Sequence, residues 1–311
     1  MVTISVIIPA YNAERTILET IESVQQQTFS DFELIVINDG SIDRTLELLQ
    51  NIKDQRLKVF SYENGGLPVA RNRGMSQATG EFITFIDADD LWTPDKLELQ
   101  LAALQQHPTA GVAYSWTYFM HEKTNTILPS DQLFFEGNIQ RKLLIRNFLD
   151  NGSNPLICRE AIASVGEFEP SCGGYADWDY WLRLAACWNF VLVPKHQIFY
   201  RISSGSMSTK VQAMEDAGLL VVERAFRAAP LELHHLQHQS LAMVYWYSAH
   251  LYMHHNGNSI DGVNQAGRKL CMSIQVFPAI LLEKHIQDLG KWFIRRWIKV
   301  CVFKLLNVQV T

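Results

Sequence analysis

The first hundred residues alternate short β-branched runs with amphipathic stretches, and that alternation leaves little open beyond parallel strands joined by crossover helices. Strands read at about 4–8, 33–37, 57–61 and 81–86, with helical spacing over 13–26, 43–50 and 67–77. Thr93 and Pro94 open a further helix through about Gln106, with proline at its favoured first position. From Gly111 to Arg201 the pattern loosens into aromatic strands at 112–118 and 190–194 and helices near 139–148 and 178–186. After about Thr209 strands vanish, and long apolar periodicities run through 216–228, 231–255 and 260–276. The fold class is α/β: a mainly parallel twisted sheet flanked by helices, plus a helical C-terminal region. The expected division is a domain over 1–209, with halves 1–110 and 111–209, and the helical region over 210–311.

Composition narrows the class of partner. With 48% hydrophobic and 19% charged residues the chain can bury a sizeable core, and a formal charge of −5 argues against a general nucleic-acid binder. The five cysteines fall at no metal-like spacing, which reads as reduced thiols in a cytoplasmic protein. Met-Val-Thr-Ile-Ser-Val-Ile-Ile-Pro lacks a basic leader and a small-residue cleavage site, so it reads as a strand, not a signal peptide. No window of apolar residues is long enough to lead us to expect a spanning helix.

In open α/β sheets ligands bind outside the carboxyl ends of the strands, so the residues just after each strand are the informative ones. They read Pro9-Ala10-Tyr11-Asn12, Asn38-Asp39-Gly40-Ser41 and Asp87-Ala88-Asp89-Asp90, and acids from separate strands should therefore converge on one edge. Such acids repel one another unless a cation is present; Mg²⁺ or Mn²⁺ takes carboxylate oxygens and shares the rest of its shell with phosphate. Each acid also has a local reading, Asp89 or Asp90 as a helix cap and Asp39 in a turn with Gly40. Three matched strand ends favour a shared site. A calcium loop is discounted, because the glycine and glutamate it requires are absent. Neither Gly-x-Gly-x-x-Gly after the first strand nor a P-loop occurs. Gly65-Gly66 before Ala70-Arg71-Asn72-Arg73-Gly74 opens a helix with free backbone N–H groups and a guanidinium near its start, suited to an anionic or carbonyl-bearing ligand. Arg73 reads equally well as part of a solvated helix face.

The runs SVIIPAYN at 5–12, INDGSID at 37–43, ARNRG at 70–74, FIDADD at 85–90 and DWDYWLRLA at 177–185 together resemble the family 2 glycosyltransferases of GT-A fold, over about residues 3–209. The resemblance implies a nucleotide diphosphate sugar donor, usually of uridine or deoxythymidine, and inversion at the anomeric carbon. It implies that Pro9 and Tyr11 belong to the nucleotide-sugar site, with Tyr11 stacking on the base, that Asp39 accepts from the base, and that Arg71 lies by base and phosphates. Asp87 would reach ribose and metal, and Asp89 would ligate the metal. Asn154 and Trp178 become candidates for the acceptor pocket, although a tryptophan on such a helix is more often core. Two departures stand out: Ala176 where the family often has glutamate, and Ser203 where a histidine can add a late metal or diphosphate contact.

A sugar hydroxyl is a poor nucleophile near neutral pH, so a carboxylate must take its proton as the C1–O bond breaks. Asp177 is chosen, at a helix start where N–H dipoles should keep it ionised. Asp179 is read as structural. The expected partners are the donor and a saccharide or lipid-linked saccharide acceptor. The alternative is a catalytically silent sugar-nucleotide-binding or scaffold protein, for which Ala176 and Ser203 are the motive. A nucleotidyltransferase would need a glycine-rich basic loop near the first strand that the sequence lacks. The histidines from His234 to His255 read as packed or exposed on amphipathic helices. Over 291–308, Lys291, Arg295, Arg296 and Lys299 define a basic side opposite Phe293, Ile294, Trp297, Ile298, Val300, Cys301 and Leu305. This helix is expected either to dock on the inner face of the cell membrane or to pack on the catalytic domain or a second copy.

Overall fold

The computed structural model describes residues 2–203 and 206–308, with 285 and 301–308 described as backbone only. The chain divides into two compact units, residues 1–143 with 147–203, and residues 144–146 with 204–311; the expected boundary near 209 lies just inside the second.

The first unit begins with β1 (Ile4–Ala10), α1 (Ile17–Gln25), β2 (Phe32–Asp39), α2 (Thr45–Gln50), β3 (Leu57–Tyr62), α3 (Leu67–Gln77) and β4 (Phe82–Phe85). It continues through β5 (Leu91–Trp92), α4 (Lys96–Gln106), β6 (Ala110–His121), β7 (Thr126–Pro129), α5 (Gln140–Ile145), β8 (Leu156–Cys158), α6 (Arg159–Val165), α7 (Ala176–Cys187) and β9 (Asn189–Ile202). The last residues of α5 group with the second unit. Among the described residues the strands form one sheet in the order β3-β2-β1-β4-β8-β6-β9-β5, with β7 paired to β6. β3, β2, β1 and β4 are parallel, whereas β8 runs antiparallel to both β4 and β6. The parallel half carries the apolar runs because helices cover both of its faces, and β1 and β2 are buried throughout. The second half of the sheet is mixed.

The helices form where the sequence gives them one apolar face. In α1, Ile17, Thr20, Ile21 and Val24 are buried at helical spacing. α1 starts at Ile17, not at residue 13, because the preceding N–H groups are spent elsewhere: Ala13 donates to Thr45 Oγ1 (2.8 Å) and Glu14 to Asp43 Oδ2 (3.0 Å). α3 crosses β1 so closely that a Cβ on Gly74 would lie 2.3 Å from Ile7 Cγ2. β5, β7 and β8 had no counterpart in the sequence reading, because runs of two to four residues carry no measurable period. β6 and β9 are longer than read. They pair in parallel along their length, and Tyr118 stacks on Phe199 with ring centroids 5.0 Å apart.

In the second unit, a short turn of 3₁₀ helix at Met207–Thr209 leads to α8 (Val211–Ala228), α9 (Gln237–Asn256), α10 (Ile260–Val276) and α11 (Lys284–Val308). The single stretch read over 231–255 is a 3₁₀ segment, Leu231–Leu236, followed by α9. Ala249, Met253, Val263, Ala266 and Leu289 form one apolar cluster, with Trp292, Phe293 and Val300 packed against it. Burial, and then the charges of His254 and His255, push the His250 imidazole down to about 4, so it stays neutral over the physiological range. The apolar residues of α11 do not share one side as expected. Trp292, Phe293 and Val300 pack inward while Ile294, Trp297 and Ile298 are exposed, and the Cys301 and Leu305 side chains lie outside the described residues.

One buried acid ties the parallel strands together. Glu33, on β2, accepts from Ser5 of β1 (2.7 Å), Lys58 of β3 (2.8 Å) and both the N–H and hydroxyl of Thr79 (2.6 and 2.7 Å). Burial raises its carboxyl pKa, but the donors outweigh burial and hold it down to about 2. Because the folded pKa is depressed, this stabilisation is present above the unfolded value and fades as pH falls towards 2. We expect Glu33→Ala to cost about 2–4 kcal/mol, since four donors lose a buried charged partner. Denaturant titration measures the cost, and in Glu33→Gln the acid decline of stability should be shallower than in the parent.

Candidate functional site

Three loops meet at the carboxyl edge of the parallel strands. β1 and β2 align Ala10 with Asn38, and β1 and β4 align Ile7 with Phe85, so the residues following all three strands emerge together. Asn12, at φ 49°, accepts from Ile42 N–H (2.9 Å), and its own N–H donates to Ser41 Oγ (3.0 Å), which locks the first loop to the second. Pro9 is buried in β1, and Tyr11 projects from the loop, 52% exposed. A planar base could stack on that ring.

Asp39 ends β2, buried, and its carboxylate caps the start of α3. It accepts from Gly65 N–H (3.0 and 3.1 Å), Gly66 N–H (2.8 Å) and Arg73 Nη1 (2.7 Å). The N–H groups read as free for a ligand are therefore committed to Asp39. Arg73 is not on a solvated face either: it also donates to the Glu63 carbonyl (2.8 Å) and lies over the Tyr62 ring. Gly66 takes φ 86°, a left-handed conformation open to glycine, and this turns the chain so that both N–H groups face the carboxylate.

Arg71 is the buried cation of the site, 2% exposed at the side chain. Its Nη2 pairs with Asp87 Oδ1 (2.7 Å), its guanidinium lies 5.4 Å from the Phe168 ring centroid, and its buried Nε finds no acceptor among the described residues. A desolvated donor of this kind is costly unless something accepts from it, and an anion at this edge would do so. Asp87 is half-buried, and its backbone N–H donates to Ser153 Oγ (2.9 Å). Burial, and then the charge of Asp87, push the Asp89 carboxyl up to about 6. Arg201 of β9 donates to the Asp89 carbonyl (2.8 Å) and to Glu19 (2.7 Å). Asp90 is fully buried between Ser153 Oγ and the Arg201 N–H, and burial with its acidic neighbours holds its carboxyl well above the usual range. Asp90 caps no helix; the residues after it form β5.

Asp177 opens α7 and sits within the field of Arg71 and Asp87. Its Oδ1 accepts from the Trp178 N–H (2.7 Å). Burial dominates and pushes the carboxyl up to about 6, with Arg71 acting against it and Asp87 adding to it, which leaves it largely ionised near neutral pH. Asp179 instead pairs with Arg183 Nε one turn on (2.9 Å). The two acceptor candidates need correction. Asn154 is buried and spends both amide hydrogens on the Ser115 and Leu149 carbonyls, and Trp178 is buried with Nε1 on the Leu143 carbonyl. Neither offers a donor to a ligand.

Two residues escaped the sequence reading. Ser153 joins the acidic loop to the loop before β8, through Asp87 and Asp90 on one side and Trp92 Nε1 on its carbonyl (2.9 Å). Gly152 lets that loop lie against Arg71, since a Cβ there would stand 2.0 Å from Nη2. Only the turn-like composition of 150–154 hinted at either.

For a divalent cation the residues present fit in part. Asp87 and Asp89 form a like-charged pair whose repulsion a cation would relieve, while no group of three or more His, Cys, Asp or Glu among the described residues is placed to hold an ion. The fit is to an ion that takes its remaining ligands from phosphate and water.

A parallel sheet edge that gathers acids from the ends of β2 and β4, with Asp177 of α7 and the buried Arg71 beside Asp87, is the layout of GT-A glycosyltransferases. The chain belongs to the glycosyltransferase-like family 2, whose model matches residues 5–251. It is 41% identical over 102 residues to the UDP-Glc:alpha-D-GlcNAc-diphosphoundecaprenol beta-1,3-glucosyltransferase WfgD of Escherichia coli, covering 32% of this chain and 40% of that protein. Of the curated relatives it matches, the chain spans between 20% and 58% of the length. The fold is shared with S. aureus TarS 1–349 in complex with UDP-GlcNAc, at TM-score 0.64 and 18% identity, over 96% of this chain and 90% of that one. It is also shared with the mannosyltransferase PcManGT from Pyrobaculum calidifontis in complex with GDP-Man and Mn²⁺, at TM-score 0.63 and 17% identity, over 96% and 87%.

We expect Gly152→Ala to push the Arg71 guanidinium aside and to lower stability by about 1–3 kcal/mol, the scale of an overpacked site, with secondary structure intact. Ser153→Ala should lower stability by about 1–3 kcal/mol, because it leaves the buried Asp90 carboxyl and the Asp87 N–H without their Ser153 partner. Thermal unfolding of both variants checks these values.

Proposed function

We propose that this chain is an inverting glycosyltransferase that moves a sugar from a nucleoside diphosphate sugar, a UDP-sugar in the simplest case, to a hydroxyl of a saccharide or lipid-linked saccharide acceptor. The observation that carries the reading is the half-buried pair Asp87 and Asp177 beside Arg71, whose Nε finds no acceptor among the described residues, with Asp89 next to Asp87. The bound sugar nucleotides of the two structural neighbours, and the UDP-Glc and diphosphoundecaprenol in the name of the E. coli relative, support donor and acceptor class. The place of action is the cytoplasmic side, in polysaccharide or glycan assembly. We assign catalysis to 1–209 and an accessory role to the helical 210–311. No helix among the described residues is long and apolar enough to cross a membrane.

In this reading Tyr11 stacks on the base and Asp39, held rigid by Gly65, Gly66 and Arg73, offers its carboxylate edge to it. Arg71 donates to the diphosphate, and its bond to Asp87 fixes the direction. A Mg²⁺ or Mn²⁺ ion held by Asp87 and Asp89 would neutralise the charge that builds on the leaving diphosphate. The acceptor hydroxyl passes its proton to Asp177 as its oxygen bonds C1 from the face opposite the departing diphosphate, which inverts the centre.

A base must be ionised to act. With the Asp177 carboxyl at about 6, the rate should rise with pH through that value and level off above it. Asp177→Asn should keep donor affinity, remove this acid limb, and lower turnover by roughly 10²–10⁴-fold. If Asp179→Asn abolishes turnover while Asp177→Asn does not, the base is misassigned. Donor binding is testable without an acceptor: screening nucleotide sugars for thermal stabilisation in the presence and absence of Mn²⁺ identifies the donor by mass action. Asp89→Ala should abolish the Mn²⁺-dependent part of that stabilisation and leave the fold intact.

A further inference from the structure

The last helix carries charge that the rest of the chain does not. Over 284–308 the helix holds six Lys or Arg residues and one acid, Asp288, which pairs with Lys291 (3.1 Å), while residues 1–283 hold 21 basic against 31 acidic side chains. In the second unit, α11 spends its inner face on packing: Leu289 is buried, Trp292 and Phe293 lie on the α9 and α10 cluster, and a Cβ on Gly267 would stand 2.9 Å from Phe293 Cζ. Its outer face is what remains. There Ile294, Trp297 and Ile298 are 57%, 48% and 51% exposed, at helical spacing. Lys291, Arg295 and Lys299 are also exposed and recur every fourth residue. At about 100° per residue the three apolar side chains fill one half of the outward arc and the three cations fill the adjoining half.

Beside this arc Arg296, which donates to Asn258 Oδ1 (2.8 Å), joins Lys299, Asn258 and Val300 in lining a cavity of about 120 Å³. Three large apolar side chains left in water are unfavourable at about 25 cal/mol per Å² of apolar surface, and an acyl boundary beside anionic headgroups removes that cost while meeting the adjoining cations.

We propose that the outer face of α11 is a docking surface for an anionic phospholipid membrane: Trp297, Ile294 and Ile298 enter the headgroup boundary, and Lys291, Arg295 and Lys299 face the phosphates. The surface adds to the function proposed above a means of reaching a lipid-borne acceptor, and it stands on residues outside the catalytic cluster. Attachment is peripheral and salt-sensitive, because charges at such a surface act within a Debye length of about 8–10 Å.

The test is co-sedimentation of the full chain with phosphatidylcholine vesicles and with vesicles of about one-third phosphatidylglycerol. The full chain should bind the anionic vesicles at low salt, be released as salt rises, and ignore the neutral ones. Lys291→Gln, Arg295→Gln and Lys299→Gln combined should weaken binding roughly 100-fold, at about tenfold per 1.4 kcal/mol and about 1 kcal/mol per cation. Trp297→Ser with Ile298→Ser should abolish it. These positions are exposed, so unchanged thermal unfolding verifies that the variants fold, and donor-induced stabilisation should match the parent, which separates this surface from the catalytic reading. Equal binding to both vesicle types, or undiminished binding by the charge variant, overturns the proposal. So does a concentration-dependent dimer in solution that Trp297→Ser dissolves, which would make the face a contact between copies.

Discussion

The contact on which the site depends is the buried ion pair between Arg71 and Asp87. A guanidinium at this depth is costly to desolvate, and one carboxylate satisfies only part of its five-donor fork. The remainder of the arrangement follows from that imbalance. Asp177 approaches close enough to feel the charge, Phe168 offers its ring face, and Gly152 dispenses with a side chain so that the guanidinium can lie flat against the next loop. Among the described residues its Nε finds no acceptor, which is the part of the imbalance that the protein leaves unmet. In this sense the domain is folded around an incomplete coordination of one cation.

Much of this was legible in the sequence. The parallel half was readable because a strand buried on both faces must be apolar along its length, as Val6 to Ile8 and Leu34 to Ile37 are. The convergence of Asp39, Asp87 and Asp89 followed from where parallel strands end. Three things were illegible for physical reasons. β8 is three residues long and antiparallel, and its partners lie on β4 and β6, so no local pattern encodes it. The commitment of the Gly65 and Gly66 N–H groups to Asp39 depends on a contact spanning 26 and 27 residues. The upward shift of the Asp177 carboxyl was not readable because a helix terminus is a local cue, whereas desolvation is set by what the whole fold packs around the carboxyl. Asn154 and Trp178 show the same limit: a polar or aromatic residue beside a site motif has its role decided by its hydrogen-bond partners, and theirs are backbone carbonyls of the core.

The helical unit gives a different lesson. Periodicity located its helices but could not apportion their apolar residues between inward and outward faces. Phe293 and Ile294 are neighbours of like hydrophobicity, and one packs on α10 while the other faces solvent. A helix with more apolar positions than its packing can use leaves a surface whose character is set by the cations alongside it.

The antiparallel insertion of β8 has a consequence for the order in which the chain becomes competent. Ser153, which fastens Asp87 and Asp90, lies 66 and 63 residues beyond them, and it is delivered by the loop that leads into β8. The parallel strands can assemble from near neighbours during synthesis, but the acidic loop lacks its fastening until that later segment has emerged and closed a long-range contact. A nascent chain halted before residue 150 would hold Asp39 and the Arg71–Asp87 pair through contacts within the parallel half, but Asp90 would lack Ser153 and the Arg201 N–H. Formation of the sheet edge and completion of its acidic loop are thus separated in time, and the second waits on chain as far as Arg201.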